Sequence, residues 1–281
     1  MKKLKNIIFS SVANCFGTAR LTRCAGTDLI FPFYHTVSDE FLPHIHPLYT
    51  PKTTKEFSRD LDFLLKHFQP VDMETAFLYC KKEKQLTKPS FHLSFDDGLR
   101  EVYDIITPIL YNKGVPFSVF VNSDFVDNRN LFFRHREVLV NQSIDPDQFL
   151  SEKRPYLSVA QLQEMLGKGV HIGAHSVNHP RYGEITEDEQ IVQTLQSCRF
   201  VKEIFNQNIT TFAFPFSDNG ISESFFKSVY SSIDLSFGIS GIYFQHDNRH
   251  IGRIDMEKYG RNAKECVNKA LLAKKMKHGA N

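Results

Sequence analysis

Several features that would place a chain in a special class are absent from these 281 residues. No run approaches the roughly 20 apolar residues of a membrane-spanning helix, so we expect no integral membrane segment. The formal net charge is only +2, which argues against a nucleic-acid-binding protein held by a broad basic surface. The five cysteines are scattered and show no CxxC or finger spacing. They favour buried free thiols in a reducing compartment over a disulfide framework.

The amino terminus also lacks the pattern of a secretion signal. It starts with basic residues, but the apolar run that follows is interrupted by Ser10, Ser11 and Asn14. A cleavable signal needs an unbroken apolar core of roughly 7–15 residues. We therefore expect an amphipathic helix lying on the domain and a cytoplasmic location, with association with the cell envelope as the open alternative.

What the chain does contain is a regular alternation of segments with strand spacing and segments with helical spacing, which predicts an α/β fold with a parallel sheet and helical crossovers. About seven strand signals favour a closed or nearly closed (β/α) barrel over an open sheet. No repeat or linker interrupts the pattern, so we expect one domain over 1–281. Its core would span roughly 28–256, with an N-terminal extension over 1–27 and a C-terminal helix over 257–277.

The stretch FHLSFDDG at 91–98 gives the first chemical signal. Its apolar residues alternate with polar ones, as in a strand, and the run stops at Asp96, Asp97 and Gly98 before a segment with helical spacing. Ligands bind at this edge of α/β sheets. A buried carboxylate without compensation is costly, so the pair requires water, a basic partner or a metal ion. Because neighbouring strand residues point to opposite faces, we expect the two aspartates to have separate roles and not to bind one ion together.

The stretch HIGAHSVNHP at 171–180 gives the second signal. His175 falls where a predicted strand ends, His179 follows four residues later, and Pro180 disfavours continued helix. The two imidazoles therefore bracket one turn and are able to converge. Two histidines and one carboxylate form the open ligand set of a catalytic metal site, for which Zn²⁺ is a preferred ion. An HxxxH spacing alone arises by chance in a chain with 12 histidines, but its occurrence together with the carboxylates favours a metal site.

These two motifs, SFDDG at 94–98 and HSVNH at 175–179, resemble the first two motifs of the NodB-homology polysaccharide deacetylases, carbohydrate esterase family 4. The resemblance covers nearly the whole chain. It implies a distorted (β/α) barrel that acts as a metal-dependent hydrolase. Such an enzyme removes N- or O-acyl groups from sugars, most often by cleaving the amide bond of an N-acetylhexosamine.

The resemblance also implies roles for individual residues. Asp96 matches the general base of the family. Asp97, His175 and His179 match the ligands of a divalent metal ion, with Zn²⁺ as the first choice. The saccharide substrate would belong to an envelope or capsule glycan or to its precursor.

The third motif of the family is altered at 211–217, which reads TFAFPFS. Pro215 and Phe216 match and are assigned to the substrate site, but Ala213 stands where the family has an arginine that holds the base. Arg253, on the last predicted strand, is the candidate replacement, because a guanidinium there would reach the barrel mouth and pair with a carboxylate. A purely structural arginine is the alternative. A subgroup with the pattern Ala-aromatic-Pro-aromatic is known, so the change does not by itself imply loss of activity.

His35 ends the first predicted strand and resembles the corresponding position of that subgroup. It is assigned to substrate contact, with a hydrogen-bonded structural histidine as the alternative. The late histidine of the family, the general acid, has no clear counterpart. His246 and His250 lie in the right region, but a solvated loop position is favoured for both.

Three functional hypotheses follow. The first is a divalent-metal deacetylase that acts on a saccharide. The second is a catalytically silent carbohydrate-binding protein on the same barrel, which the altered third motif and the missing acid favour. The third is a deformylase or deacetylase for a lipid-linked sugar, which shares the chemistry of the first and differs only in substrate.

Overall fold

The computed structural model describes residues 16–258 and 260–278. The segment 1–15, most of the expected amino-terminal amphipathic helix, lies outside this range. The strands are β1 (Leu29–Ile30), β2 (Pro32–Tyr34), β3 (Gln69–Pro70), β4 (Ser90–Phe91), β5 (Leu93–Phe95), β6 (Phe117–Val121), β7 (His171–Ala174), β8 (Thr211–Ala213), β9 (Leu235–Gly238), β10 (Phe244–Gln245), β11 (His250–Gly252) and β12 (Ile254–Asp255).

The helices surround the strands. They are α1 (Thr18–Ala25), α2 (Thr54–His67), α3 (Met73–Cys80), α4 (Thr107–Asn112, preceded by a π-helical turn Val102–Ile106), α5 (Phe133–Asn141), α6 (Pro146–Lys153), α7 (Val159–Gly167), α8 (Glu187–Phe205), α9 (Glu223–Val229) and α10 (Ala263–His278). Short 3₁₀ turns occur at Val126–Asn128 and Tyr182–Glu184. Across the described ranges, none of these helices is long and apolar enough to cross a membrane.

The strands form one large curled sheet and one small sheet. Within the described residues the large sheet has the order β10-β11-β9-β8-β7-β6-β5-β2-β12. The β10–β11 pair is antiparallel and the other neighbours are parallel. The small sheet, β1-β4-β3, is parallel. Its strand β1 lies directly before β2 in the sequence, and its strand β4 lies directly before β5.

The two ends of the large sheet share one stretch of chain, residues 250–255. Its first part, β11, pairs with β9, and its second part, β12, pairs with β2. Arg253 lies between the two parts, and its N–H donates to the carbonyl of Gly238 at 3.2 Å. If this stretch is counted as one strand, the large sheet has seven parallel strands within the described residues. The predicted distorted (β/α) barrel is therefore confirmed.

Three of the crossover helices begin where their sequences predict. In each, a hydroxyl at the cap accepts the N–H three residues on, and the side chain there accepts the N–H of the cap residue, so that two unpaired donors are satisfied. These capping boxes are Thr53 with Glu56 at α2, Ser158 with Gln161 at α7, and Thr186 with Glu189 at α8.

The carboxyl-terminal helix differs from the prediction of 257–277, because it begins only at Ala263. A carboxylate oxygen of Asp255 accepts the N–H groups of Glu257 and Lys258 at 2.9 and 2.8 Å. The chain therefore turns directly after β12 instead of entering a helix. This correction matters for the site, because the turn presents its side chains beside the ends of the strands.

Other differences lie within the strands. The first and central strands are each interrupted by one residue, Phe31 and His92, and the short hairpin strand β10 was not predicted. The polar segment over 124–156, called the excursion below, contains α5 and α6.

Two buried histidines make the stability of the fold sensitive to acid. The ring of His92 lies between the carbonyl of Val71 and the hydroxyl of Ser118, at 2.8 and 2.7 Å. Burial lowers the pKa of His92 to about 4 and that of His44 to about 3. In the unfolded chain both titrate near 6.5, so the unfolded state binds more protons at mildly acidic pH. We expect the free energy of unfolding to fall below pH 6.5 by up to about 1.4 kcal/mol per pH unit for each histidine.

Urea denaturation between neutral pH and about pH 5 measures this slope. The variant His92→Gln is the control, because glutamine retains hydrogen-bonding groups but cannot titrate. It is expected to reduce the slope by up to about 1.4 kcal/mol per pH unit. An unchanged slope would contradict the assignment of acid sensitivity to His92.

Candidate active site

Six parallel strands among the described residues end at one pocket. His35 follows β2, Asp96 and Asp97 follow β5, and His175 follows β7. The other lining residues come from β2, β8, β9 and β12 and from the loops and excursion above them: Phe33, Leu48, Tyr49, Phe132, Arg134, His135, His179, Phe214, Phe216, Ile239, Asp255 and Lys258. The pocket therefore lies at the carboxyl edge of the barrel, where ligands of such folds bind.

Three of the predicted residues, Asp97, His175 and His179, form one cluster. Each offers a ligand atom, and these atoms all lie within 4.8 Å of one another. The Oδ1 atom of Asp97 is 3.4 Å from Nε2 of His175 and 3.2 Å from Nε2 of His179. Although buried, this oxygen accepts no hydrogen bond from the described residues. A buried oxygen without a donor, facing two imidazole nitrogens, fits a divalent cation.

Hydrogen bonds fix the ring of His175 and the turn that connects it to His179. Nδ1 of His175 donates to the carbonyl of Ala213 at 2.8 Å, which leaves Nε2 as the free lone pair for an ion. The amide of Asn122 donates to the carbonyl of His175 and, at 3.2 Å, to the hydroxyl of Ser176. That hydroxyl accepts the N–H of His179 at 3.0 Å. The turn between the two histidines is thus held from β6 and β8.

Four residues at this site other than glycine have a left-handed backbone conformation. Asp97, Ser176, His179 and Phe216 have φ values of 70°, 70°, 60° and 55°. Such a conformation costs a residue other than glycine of order 1–3 kcal/mol, and it persists only where the surroundings impose it. Gly98, at φ 62°, continues the same turn after Asp97 without this cost.

The cluster is electrostatically prepared for a positive charge. Burial alone would raise the pKa of Asp97, but the neighbouring imidazoles hold it well below its usual range. Burial lowers the pKa of His179, which favours the neutral ring. A charged carboxylate and neutral imidazoles are the protonation states that bind metal ions.

Asp96 has a different partner, as the opposite directions of neighbouring strand residues predict. Its two oxygens accept from Nη1 and Nη2 of Arg253, both at 2.7 Å. Both side chains are almost completely buried. Burial would raise the pKa of Asp96, but the charge of Arg253 outweighs this effect and lowers it. Asp96 is therefore ionised at neutral pH.

The guanidinium of Arg253 is fixed on all sides. Nη1 also donates to the hydroxyl of Ser94 at 3.2 Å, and Nε donates to the carbonyl of Gly238 at 3.3 Å. Its carbon Cζ lies 4.2 Å from the ring centre of Phe33. Arg253 occupies the place for which the sequence proposed it, beside Asp96, although Ala213 replaces the arginine of the third motif.

His35 lines the pocket and is paired with a carboxylate. Its Nδ1 forms a short contact with Oε2 of Glu257, and its backbone N–H donates to Oε1 at 3.2 Å. Burial would lower the pKa of His35, but the charge of Glu257 raises it to about 10. Nε2 has no hydrogen bond within the described residues. Glu257 was not singled out in the sequence, although its position just after the last strand was the available signal.

Two phenylalanine rings pack against the Asp97–His175–His179 cluster. The ring centre of Phe216 lies 4.6 Å from that of His179, and Phe132 packs against the same histidine at 4.7 Å. Phe216 lines the pocket, as assigned from the sequence. Pro215 is buried and does not line the pocket, so its part is to set the backbone before Phe216.

The two histidines considered for the general acid do not line the pocket. His250 is not a solvated loop residue, which corrects the sequence reading. Its side chain is 3% exposed, with Nε2 3.2 Å from Asp218 and Nδ1 2.9 Å from the hydroxyl of Ser236. His246 packs on the ring of Phe226.

Some pocket residues had no signal in the sequence. Phe132, Arg134 and His135 belong to the excursion, whose composition indicates only polar, mixed structure. Tyr49 comes from the proline-containing loop after His35. Only the closure of these segments over the barrel brings them to the site.

Together, the fold and these side chains define a parallel α/β barrel with a candidate metal site at the carboxyl ends of its strands. A family model described as polysaccharide deacetylase matches residues 83–231, more than half of the chain. The chain belongs to this family, which is the NodB-homology family of the sequence resemblance. The matched range contains both aspartates and both histidines of the site, but not His35, Arg253 or Glu257.

Individual proteins agree with the family. The chain is 22% identical over 183 residues to YxkH of Bacillus subtilis, whose own description as a polysaccharide deacetylase is provisional. That match covers 65% of this chain and 54% of the relative, so it spans about half of the relative's length.

Solved structures share the fold. The deacetylase PplD of Streptococcus pyogenes, in complex with acetate, superposes with a TM-score of 0.67 at 15% identity, over 87% of this chain and 98% of that one. IcaB of Ammonifex degensii superposes with a TM-score of 0.63 at 18% identity, over 86% and 97%. At these identities the likeness is one of fold.

Proposed function

We propose that this protein is a metal-dependent deacetylase that hydrolyses the N-acetyl group, or another acyl group, of a saccharide. The substrate would be an N-acetylhexosamine of an envelope or capsule glycan or of its precursor. One observation carries the proposal: Asp96, whose carboxylate is paired with Arg253, lines the same pocket as the Asp97–His175–His179 cluster. Membership of the polysaccharide deacetylase family supports the same reaction.

Asp97, His175 and His179 would hold the ion, and Zn²⁺ suits two imidazoles and one carboxylate with open positions. When bound, such a cation makes water more acidic and polarises an acyl oxygen. His175 is already oriented for this task by the carbonyl of Ala213.

Asp96 is the general base of the proposed reaction. Its bond to Arg253 fixes its position and keeps it charged, so that it accepts a proton as water adds to the acyl carbon. A carboxylate with a low pKa is a weak base, and the step therefore needs water that is more acidic than bulk water. The arginine missing from the third motif had favoured a silent binding protein, and Arg253 removes this objection.

His35 is the proposed general acid, a role that the sequence left unassigned. As the carbon–nitrogen bond breaks, the leaving nitrogen needs a proton if it is to depart as an amine. The Glu257 carboxylate keeps the imidazole of His35 charged at neutral pH, and its Nε2 is free to donate. The products are then the free carboxylate and the amino sugar.

The variant His35→Gln tests this role. We expect it to lower kcat on an N-acetylated sugar by about 10²-fold, because the amine leaves without a proton donor. Hydrolysis of 4-nitrophenyl acetate should be affected much less, since its phenol leaves without protonation. Steady-state kinetics on both substrates separates the two effects. Equal losses on both would contradict an acid role, and His67→Gln, on α2 outside the pocket, is the control.

The proposed function is tested by measuring the acetate released from N-acetylglucosamine oligomers together with the metal content of the purified protein. We expect about one divalent ion per chain and release that scales with metal content. Tight binding of acylated oligosaccharides without release of any acyl group would favour the silent binding protein instead. A chain that binds no ion when zinc is supplied would overturn the proposal.

A further inference from the structure

Two cations without an ionic partner stand at the mouth of the pocket. Arg134, on α5, is half-buried, and Lys258, in the turn after β12, is exposed. Both line the pocket. Over residues 16–258 and 260–278, neither side chain forms an ion pair or a hydrogen bond. Arg134 therefore presents to the pocket a guanidinium that no carboxylate of the described residues neutralises.

The carboxylates in and beside the pocket do not supply the missing partner. Asp96 is neutralised by Arg253, and Glu257 is paired with His35. Asp97 faces the two histidines of the candidate metal site.

Asp255 accepts two backbone N–H groups. A divalent ion bound to Asp97 would leave one positive charge, which the carboxylate of Asp255 offsets, so Arg134 and Lys258 give the lining a surplus of positive charge. The two cations at the mouth account for this surplus.

A third cation stands near the same opening. Cζ of Arg181 lies 4.6 Å from the ring centre of Phe216, the aromatic residue that packs on His179. Its Nε is 3.7 Å from the exposed carboxylate of Glu184, a weak surface contact. The positive charges thus come from three separate segments: the excursion, the loop after the metal histidines and the turn after the last strand.

We propose that the physiological substrate is an anionic saccharide, in which a phosphate or carboxylate group lies next to the acylated sugar. This inference rests on the proposed function and adds the charge of the substrate to it. Arg134 would bind the oxyanion, because a guanidinium presents two parallel donors to phosphate or carboxylate. Lys258 and Arg181 would add attraction over a longer range, which concentrates anions at the mouth.

The experiment compares matched pairs of substrates that differ in charge. N-acetylglucosamine 1-phosphate is set against the neutral methyl glycoside, and a hyaluronan tetrasaccharide against N-acetylchitotetraose. The metal-loaded enzyme is assayed for kcat/KM at low and high ionic strength. We expect about a tenfold preference for the charged member of at least one pair at low salt, falling as salt is added. The pair that shows it identifies phosphate or carboxylate as the recognised group.

The variants assign the preference to residues. Arg134→Gln should reduce it about three- to tenfold, chiefly through KM, and Lys258→Gln by less because that side chain is exposed. Lys227→Gln, an exposed position on α9 outside the pocket, is the matched control. Equal or better use of the neutral members would overturn the inference. A preference that survives in Arg134→Gln would overturn it as well.

Calorimetric binding separates this inference from the proposed function. If no acyl group is released from any substrate, the proposed hydrolase fails, while the charge preference is still measured. Tighter binding of N-acetylglucosamine 1-phosphate than of its methyl glycoside, lost in Arg134→Gln, would support an anionic ligand. Equal affinities, or no binding of either, would overturn it.

Discussion

Replacement of Asp96 by asparagine is expected to lower kcat by about 10³-fold, within the range that general-base catalysis contributes. The amide cannot accept the proton of the attacking water. Metal content should stay unchanged, because the candidate ligands are Asp97, His175 and His179 and the Asp96 carboxylate is turned towards Arg253. Initial rates of acetate release and metal analysis of the same preparation measure both quantities.

The matched control for this substitution is Asp62→Asn, on the exposed face of α2, where the carboxylate pairs with Lys113 at the surface. It should keep nearly full activity. If the Asp96→Asn variant retained most of its acetate release, the base would have to be another group. A loss of metal from this variant would show that the two aspartates share the ion, contrary to their separate contacts.

Replacement of Arg253 by methionine is expected to reduce the free energy of unfolding by about 3–5 kcal/mol and to remove most activity. Removing one member of a buried ion pair leaves the other charge without compensation, which is the costly change. The side chain of Asp96 is 2% exposed and would be left in that state. Urea denaturation gives the change in stability, and acetate release gives the change in activity.

Two further variants keep this prediction interpretable. Arg253→Lys retains the charge but loses the two parallel bonds, and it should be intermediate in both measurements. The double variant Asp96→Leu/Arg253→Met removes both charges and should regain much of the stability while remaining inactive. A double variant as unstable as Arg253→Met would contradict the ion-pair explanation and point to lost packing against Phe33.

The parts of the fold that follow from local chemistry were predictable. The capping boxes at Ser158 and Thr186 place the starts of two helices, because the cap and its partner lie three residues apart in the sequence. The interruptions at Phe31 and His92 were not predictable, because they depend on how neighbouring strands curl. The start of the last helix at Ala263 was missed, because the bonds that Asp255 makes to the backbone turn the chain first.

The candidate site divides in the same way. Asp96, Asp97, His175 and His179 stand next to one another in short motifs, so their convergence could be predicted. The contact between Arg253 and Asp96 joins positions 157 residues apart, and only the strand register makes it possible. Sequence reasoning named Arg253 because a strand end was expected there. Glu257 had a similar signal, its position just after the last strand, which was not used. There was no such guide to Arg134, since nothing local relates that residue to the pocket.

The stretch 250–255, which joins the two ends of the large sheet, also sets an order of events during synthesis. A ribosome makes the other barrel strands first, and the emerging chain then holds Asp96 without its counter-charge and two sheet edges without neighbours. The arrival of Arg253 neutralises the carboxylate and occupies both edges at once. An unfinished or prematurely terminated chain would therefore lack the ion pair that fixes the proposed base, even if its candidate metal ligands were all present.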